Sequence, residues 1–504
     1  MTDDDFPPPK PEAKPETDFS DFDAGAATAG DFTAEDFMPP VPEEATHDEG
    51  RMPPPFDLSG IDLLSPPGFV GDVAAWIDSQ CMFPRRRLAV AAALSTVGNA
   101  GGLRHEDAMS DVTANLLMFC VSASATGKEA VQQAMAELHR SVGIHRAMVG
   151  MIKSEKEILE NIIEHQAALF VVDEIGIFLT KVDNAQKRGG AAHLEGVNGI
   201  IMAVFSKASS RFLLGGREKR ELRKQFAAMM AKAEDDGIEP SYPARMLDMV
   251  ENGLERPFLS LIGFTTPGTF DAVVDGASAT QGFVGRAMIV IERDINPEAR
   301  EGFRRAKGVP VNIAMRMSQL YNGDSFDQSE TSPRVEYVGK RTIIKTTPEA
   351  ESMMAQVSKW FHRYADDMGE ATGEASVAMI RRAYEMVGKI SFILAIPEGE
   401  RTADHVRWAF AYVRKDIDGK IALVYANESQ RHNPEASLAA RITGFMDPDK
   451  GTTAAVLANR LKISVDDVQA LLDKMQKAGL AKAETGKRKY RGKPVMLWKP
   501  VDMT

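Results

Sequence analysis

Residues 115–129 read NLLMFCVSASATGKE, and this stretch decides the fold. Residues 115–121 are a short, continuous apolar run, which predicts a buried strand. A turn of small polar residues follows, and residues 129–141 have the apolar spacing of a helix. A buried strand that turns directly into a helix is a typical unit of a parallel α/β sheet.

The turn itself is close to the phosphate-binding pattern G-x-x-x-x-G-K-[ST]. Such a loop aims backbone N–H groups at an anion, Gly127 permits the close approach, and Lys128 would reach the β- and γ-phosphates. Ser122 stands where the first glycine belongs, and Glu129 where the Mg²⁺-binding hydroxyl belongs. An ordinary strand-to-helix turn is the alternative interpretation. The predicted ATP contacts are Ser122, Ala123, Ser124, Ala125, Thr126, Gly127, Lys128 and Glu129.

A second apolar run ends in two carboxylates, at Asp173 and Glu174. Asp173 is the predicted Mg²⁺ ligand, with Glu129 as a second, and Glu174 is predicted to polarise the attacking water. An apolar strand that ends in two acids is common by chance. The two motifs in this order, each at the end of a predicted strand, are not, and they predict an α/β P-loop NTPase that uses ATP and Mg²⁺.

Two further strands place polar groups beside this predicted site. Thr265 and Thr266 follow a predicted strand at 258–264, where they could sense the γ-phosphate; a simple strand-end turn is the alternative. Arg286 precedes a predicted strand at 287–291. It is a candidate arginine finger that reaches the ATP of a neighbouring subunit, and a surface salt bridge is the alternative.

Five segments in order resemble a family of phage and prophage primase-helicase-like P-loop ATPases. They are PPGFVGD at 66–72, GKE at 127–129, VDE at 172–174, TTP at 265–267 and GFVGR at 282–286. Residues 282–289 are also similar to the arginine-finger region of minichromosome maintenance AAA+ helicases. The resemblance covers roughly residues 66–425 and implies a ring-forming ATPase linked to phage DNA replication. It also implies that Arg381 and Arg382, on a predicted helix at 378–396, match the nucleotide-sensing arginine of a helical lid.

The chain is long enough for several units. Its net charge of −12 comes from the N-terminus, where 15 acidic residues against Lys10 and Lys14 give −13 and leave +1 for the other 454 residues. That acidic, proline-rich composition predicts disorder. The predicted units are a disordered tail at 1–60, a helical region at 61–112, an AAA+/RecA-like P-loop core at 113–334 with an insertion at 183–256, a helical lid-like domain at 335–430 and a winged helix at 437–500.

Two basic segments are candidate DNA contacts. One lies in the insertion, and the other is the wing of a terminal unit whose residues 437–499 carry a net charge of +7. The would-be recognition helix begins Val465-Asp466-Asp467, which repels phosphate, so weak sequence preference is expected. A solvated helix face and a protein-binding unit are the alternatives. The candidates are Lys187, Arg188, Arg217, Lys219, Arg220, Arg223, Lys224, Lys487, Arg488, Lys489, Arg491 and Lys493.

The sequence also excludes several classes of protein. It contains no apolar run of 18 residues and no secretory signal, and its nine histidines lack metal-ligand spacing. We therefore expect a protein of the bacterial host cytoplasm without a structural zinc. The function predicted is a hexameric, ATP-dependent motor on single-stranded DNA, a phage replicative helicase whose acidic tail recruits a replication partner. The alternatives are an initiator or helicase loader that does not unwind DNA, and an adaptor that acts through its tail.

Overall fold

A computed structural model describes most of the chain. The described residues are 52–124, 126–165, 167–188, 196–237, 241–271, 285–292, 298–322, 341–432, 438–439, 442–443, 445–447, 451–461, 463–477, 480–487 and 494–500. The predicted acidic tail falls outside them, except for residues 52–60. The chain divides into two compact units, one formed by residues 42–428 and the other by residues 1–41 with 429–504.

The described strands fall into four sheets. They are β1 (His105–Asp107), β2 (Leu117–Val121), β3 (Met148–Val149), β4 (Ala167–Val172), β5 (Arg211–Phe212), β6 (Leu254–Glu255), β7 (Phe258–Thr265), β8 (Ala287–Ile291), β9 (Thr342–Thr346), β10 (Glu400–Arg401), β11 (Ala481–Lys487) and β12 (Pro494–Pro500).

The helices of the described residues connect and cover these strands. They are α1 (Phe69–Ser79), α2 (Arg86–Gly101), α3 (Lys128–Ser141), α4 (Glu155–His165), α5 (Ile175–Arg188), α6 (Val197–Phe205), α7 (Gly216–Asp235), α8 (Ser241–Asn252), α9 (Pro267–Asp271), α10 (Val311–Asn322), α11 (Pro348–Ala395), α12 (Ala403–His432), α13 (Ala454–Leu461) and α14 (Val465–Lys477).

The main sheet is parallel, with the order β3-β4-β7-β2-β8. The four strands predicted from apolar runs are its four longest, which confirms the α/β core. The chain leaves β2 toward β3 on one side and later reaches β8 on the other. In such a sheet a ligand crevice forms at the carboxyl ends of the strands where the order reverses, which here is the end of β2.

Helices cover both faces of this sheet. On one face lies α2, an Ala-rich helix with 14 of its 16 residues buried, and it shares a core with α1, α3 and α10–α12. A helix that is apolar all round belongs in such a core. Gly102 follows α2 where a side chain would overlap the ring of Phe258. The other face packs against α4–α9.

A small parallel sheet, β1-β9-β10, joins three distant parts of the sequence. Arg401 and Asp107 form an ion pair inside it, with 3.1 Å between Arg401 Nη1 and Asp107 Oδ1 and almost no exposure of either side chain. The region at 61–112, predicted to be helical, thus also contains β1. In the region predicted as a lid-like domain, β9 is the first element of the described residues.

The insertion also differs from its prediction. The polar, Gly-rich composition at its start, residues 183–196, favours a loop, but α5 continues to Arg188. The basic residues from Arg217 to Lys224 lie on α7. It packs against α8, and the short antiparallel pair β5–β6 closes the base of this helical hairpin.

The C-terminal unit contains α13, α14 and the antiparallel pair β11–β12, packed around the buried Trp498. Ser464 caps α14: Ser464 Oγ accepts a hydrogen bond from the Asp467 N–H at 3.0 Å and donates one to the Asp467 carboxylate at 2.6 Å. Residues 488–493 of the predicted wing lie outside the described residues, so the winged helix stays a prediction. Across the described residues, no helix is both long and apolar enough to cross a membrane.

Acid is expected to destabilise α3 through His139. This side chain is fully buried, with Nδ1 2.9 Å from the Met135 carbonyl oxygen, and burial lowers the pKa of His139 to about 4. The unfolded chain takes up a proton near pH 6.5 and the folded chain only near pH 4, so stability is lost as pH falls through that window. Between pH 6.5 and pH 4, the wild-type protein should lose roughly 3 kcal/mol of its free energy of unfolding through His139. The variant His139→Leu should not show this loss in urea unfolding. An equal loss of unfolding free energy in wild type and His139→Leu would contradict this prediction. The control is His362→Gln, which changes an exposed histidine and should behave like wild type.

Candidate nucleotide-binding site

Three strand ends meet at the carboxyl edge of the main sheet. In the register, Val121 at the end of β2 lies opposite Thr265 of β7, and Val172 at the end of β4 lies opposite Gly263. The Ser122 N–H continues the ladder by donating to the Thr265 carbonyl at 3.1 Å. The segments that follow β2, β4 and β7 are therefore neighbours, with the end of β7 in the middle.

Residues 122–127, which we call the phosphate-binding loop, connect β2 to the first turn of α3. Gly127 is left-handed, with φ 93°, and caps the helix that begins at Lys128. Two carbonyl groups of the loop are occupied by donors: Ala123 O accepts from Thr126 Oγ1 at 2.7 Å, and Thr126 O accepts from Arg85 Nε. With these carbonyls engaged, an anion at the helix N-terminus meets N–H groups. Ser122 is buried, and Ala125 is outside the described residues.

Lys128 joins the loop to the two predicted catalytic acids. Its side chain is almost fully buried; Nζ bonds the Glu174 carboxylate and lies 3.3 Å from Asp173 Oδ1. Burial opposes the charge on Lys128, but the hydrogen bond that Lys128 donates to Glu174 and the charges of both acids outweigh it, and the pKa of Lys128 is raised. Lys128 is thus a charged ammonium shared by two carboxylates.

Glu174 has a backbone conformation that is rare for a residue with a side chain. Its φ is 51°, at the point where β4 passes into α5. Its N–H donates to Asp173 Oδ1 at 3.0 Å, and Gln132 Nε2, from α3, donates to the same oxygen at 3.3 Å. Backbone strain of this kind is concentrated at functional sites.

The acids fit a magnesium ion that is also held by phosphate. In the described part of the chain no three acidic, histidine or cysteine side chains are arranged to hold a metal. Mg²⁺ beside a nucleotide uses one or two carboxylates together with phosphate oxygens and water. The half-exposed Asp173 carboxylate suits that role, and Glu129 is exposed on the first turn of α3.

The two threonines predicted as phosphate sensors are not equivalent. Thr265 is fully buried, and its hydroxyl lies 2.6 Å from Thr269 Oγ1, under Gly176 of α5. Thr266 is only partly buried, and its hydroxyl also contacts Thr269 Oγ1, at 3.0 Å. The geometry therefore favours Thr266 as the group that could face a ligand, with Thr265 in a packing role.

The three arginines assigned to nucleotide sensing lie away from this site. Arg286 precedes β8, whose first residue pairs with the first residue of β2, so it lies at the opposite edge of the sheet, roughly 20 Å from the start of the loop. Burial and the positive charge of Arg382 lower the pKa of Arg286. Arg381 pairs with Asp366 at 3.2 Å. None of them approaches the loop of its own chain, so contact with ATP would require a neighbouring subunit and stays a prediction.

A cavity of about 380 Å³ lies between β8 and α12, on the side of β8 that faces away from β2. Asp416 of α12 accepts a hydrogen bond from the Ile289 N–H at 2.6 Å and pairs with Lys420 at 2.5 Å. The Tyr412 hydroxyl is buried without a hydrogen-bond partner among the described residues, and burial raises the pKa of Tyr412. The cavity thus has apolar walls with a few polar groups, as small-molecule sites do.

The basic residues predicted to bind DNA divide into three groups. Arg217 pairs with Glu221, while Lys219 and Arg223 bind Glu251 of α8. Arg220 and Lys224 are exposed, one turn apart on α7, and no intrachain ion pair involves them within the described residues. The side chains of a third group lie outside the described residues; they are Lys187, Arg188, Lys487, Arg488, Lys489, Arg491 and Lys493.

Sequence reasoning missed three residues of the site. Arg85 holds the loop carbonyl of Thr126, Gln132 holds Asp173, and Thr269 bridges the two threonine hydroxyls. Gln132 and Thr269 lie three or four residues after a predicted site residue, one helical turn away, and that spacing could have identified them. Arg85 lies 41 positions before its partner, and nothing local marks it.

Comparison with known proteins adds little to this geometry. No protein-family model and no curated protein sequence matches the chain. Among solved structures, the Aeropyrum pernix Orc1 protein in complex with DNA is 13% identical, over 76% of this chain and 83% of that chain, with a TM-score of 0.17.

Proposed function

We propose that this protein binds and hydrolyses ATP at the carboxyl edge of its main sheet. The observation that carries the proposal is the contact of the buried Lys128 with Asp173 and Glu174, which joins two motifs 45 residues apart in one cluster. A lysine at the start of a helix and two acids at the end of a nearby parallel strand are the groups that phosphoryl transfer requires.

Because Lys128 is bound to two carboxylates, a nucleotide that binds here would exchange a carboxylate partner of Lys128 for phosphate oxygens. A triphosphate that accepts hydrogen bonds from Lys128 draws this cation away from Glu174. The released carboxylate can then accept a hydrogen bond from water and orient it for attack. Asp173 would hold Mg²⁺, which supplies charge neutralisation at the phosphates. Thr266 is the side chain best placed to bind the γ-phosphate.

The cavity beside β8 is the proposed location of the nucleoside. The cavity is lined by β8, and β8 pairs with β2, the strand that leads into the phosphate-binding loop. Just after β8, the Glu292 N–H donates to the carbonyl of Val121, the last residue of β2, at 2.8 Å. The size of the cavity suits a base, and the Asp416 carboxylate, the Lys420 ammonium and the Tyr412 hydroxyl offer polar partners. Which nucleobase is preferred depends on those three side chains.

The first test is the rate of ATP hydrolysis with and without single-stranded DNA, with Lys128→Ala as the blank. Strong stimulation that the blank lacks would support an ATP-dependent DNA motor. A rate above the blank that ignores DNA would favour the initiator, loader or adaptor. No rate above the blank would contradict the hydrolysis proposed here and would leave ATP as a structural ligand at most.

Beyond ATP hydrolysis, we favour a ring-forming phage replicative helicase that moves on single-stranded DNA. The ring is favoured by the position of Arg286, which lies at the sheet edge opposite the phosphate-binding loop. If Arg286 is an arginine finger, the ATP that it contacts would belong to a neighbouring subunit. Free basic side chains on α7 are the described groups available for DNA. Three of the six basic residues in this helix are already bound to Glu221 or Glu251, and that observation favours a loader or an adaptor as the second candidate.

If α7 binds DNA, Arg220 and Lys224 should carry the contact. Each lysine or arginine that neutralises a phosphate of single-stranded DNA adds about 0.7 to the salt dependence of binding. We expect Arg220→Ala with Lys224→Ala to weaken oligonucleotide binding and to lower the slope of log K against log salt by about 1.4.

The matched control removes two basic groups of the same helix that already have carboxylate partners. Arg217→Ala with Arg223→Ala changes the net charge by the same amount but should leave the slope almost unchanged. Equal slopes for both double variants and wild type would show that DNA does not contact this helix. Fluorescence anisotropy over a salt series measures all three proteins.

A further inference from the structure

We infer that Arg85 is a positioning residue for the phosphate-binding loop; this inference rests on the proposed function. Arg85 caps α2, far in sequence from the loop, and its side chain has no exposed surface. Its Nε donates to the carbonyl oxygen of Thr126, the last peptide before Gly127. The buried guanidinium therefore fixes the peptide between Thr126 and Gly127. The orientation of this peptide determines where the N–H groups of Gly127 and Lys128 point.

The Thr126 carbonyl matters because of the conformation that follows it. Gly127 is left-handed, and Lys128 begins α3, so rotation of the 126–127 peptide would turn a carbonyl oxygen toward the bound phosphates. A flexible glycine cannot prevent that rotation by itself. Arg85 opposes that rotation with a charged donor on the Thr126 carbonyl oxygen.

Arg85 is itself held by a fixed anchor at the end of α1. The Arg85 N–H donates to Asp78 Oδ1 at 2.7 Å, and the other oxygen of that carboxylate bonds the Arg300 guanidinium. Arg300 also donates to the Asp78 carbonyl at 2.6 Å, and its own N–H binds Met82 O at 2.9 Å. The chain of contacts runs from Arg300 through Asp78 and Arg85 to the loop, and each link is a charge-assisted or backbone hydrogen bond.

The test compares nucleotide binding by Arg85→Gln, Arg85→Lys and Arg86→Gln, with fluorescent ADP as the probe and the full-length chain. Arg86 is the matched control, because it is the next residue, is half exposed, and points to Asp62. We expect ADP to bind Arg85→Gln about tenfold to a hundredfold more weakly than wild type, and Arg85→Lys to recover part of the loss. Arg86→Gln should bind like wild type. Without ligand, the thermal unfolding midpoint of Arg85→Gln should stay near that of Arg86→Gln. If Arg85 had only a structural role, Arg85→Gln would unfold at a lower temperature.

Other outcomes separate the inference from the proposed function. If wild type binds ADP and Arg85→Gln binds it equally well, the positioning role is overturned and the nucleotide site remains. If wild type binds no ADP, the proposed function fails, and the inference fails with it. If Arg85→Gln does not fold, Arg300→Gln decides, since the Arg300 side chain is partly exposed and its link to the loop runs through Asp78 and Arg85. Severalfold weaker binding by Arg300→Gln supports the role, and unchanged binding overturns it.

Discussion

Glu174→Gln should slow ATP turnover by about 10² to 10⁴ and leave ATP binding as tight as in wild type, or tighter. The loss of rate follows from removing the Glu174 carboxylate, which is the proposed general base. General-base catalysis contributes a factor of about that size. The tighter binding follows from the ion pair, because a neutral amide competes less with phosphate for the Lys128 ammonium. Single-turnover hydrolysis and nucleotide titration measure the two effects separately.

A control for this variant lies in the neighbouring helix. Glu137 of α3 is a partly exposed carboxylate that pairs with Arg305 at 3.7 Å and has no contact with Lys128. Glu137→Gln should therefore keep both the rate and the affinity of wild type. Normal turnover by Glu174→Gln would show that Glu174 is not the base, while equally slow turnover by both variants would indicate a general loss of structure.

Arg401→Ala should be the most destabilising single change among the buried ion pairs, by about 3–5 kcal/mol. It leaves the Asp107 carboxylate, which is almost completely buried, without its cation in the β1-β9-β10 sheet. Burial already lowers the pKa of Arg401, with Asp107 opposing, so neither charge tolerates this environment alone. Urea unfolding followed by far-ultraviolet circular dichroism measures the change in free energy.

Two comparisons make this prediction specific. Arg381→Ala breaks an exposed pair with Asp366, and such pairs contribute about 0–1 kcal/mol. The double variant Arg401→Met with Asp107→Leu removes both buried charges together and should recover most of the lost stability. If Arg401→Ala cost no more than Arg381→Ala, the buried pair would not hold this sheet together.

The sheet and the central cluster of the site could be predicted from local sequence. Residues of β2, β4, β7 and β8 are continuous apolar runs because both faces of these strands are buried, and polar motifs directly follow three of them. Parallel strands place such motifs at one edge. By the same reasoning, a residue that precedes a strand, such as Arg286, belongs at the opposite edge, and the sequence already contained that information.

Contacts between distant residues could not be predicted in this way. Arg85 meets Thr126, and Arg401 meets Asp107 across 294 positions, through packing that no local pattern encodes. The role of Thr265 depends on Gly176, whose missing side chain lets α5 approach β7 closely. The extra turns of α5 arise where a polar, Gly-containing segment had favoured a loop, and tertiary packing overrides such weak propensities.

The hydrogen bond from the Ile289 N–H to Asp416 also bears on how copies of the chain can assemble. An uncovered outer strand attracts other strands, and proteins block it with charge or with a covering helix. Here α12 does both at β8, and the strand at the other border, β3, has only two residues. Self-association by strand addition is thus disfavoured at both borders of the main sheet. At these two borders, contacts between copies of the chain would therefore be made by side chains, and such contacts can form and separate without breaking a continuous backbone ladder.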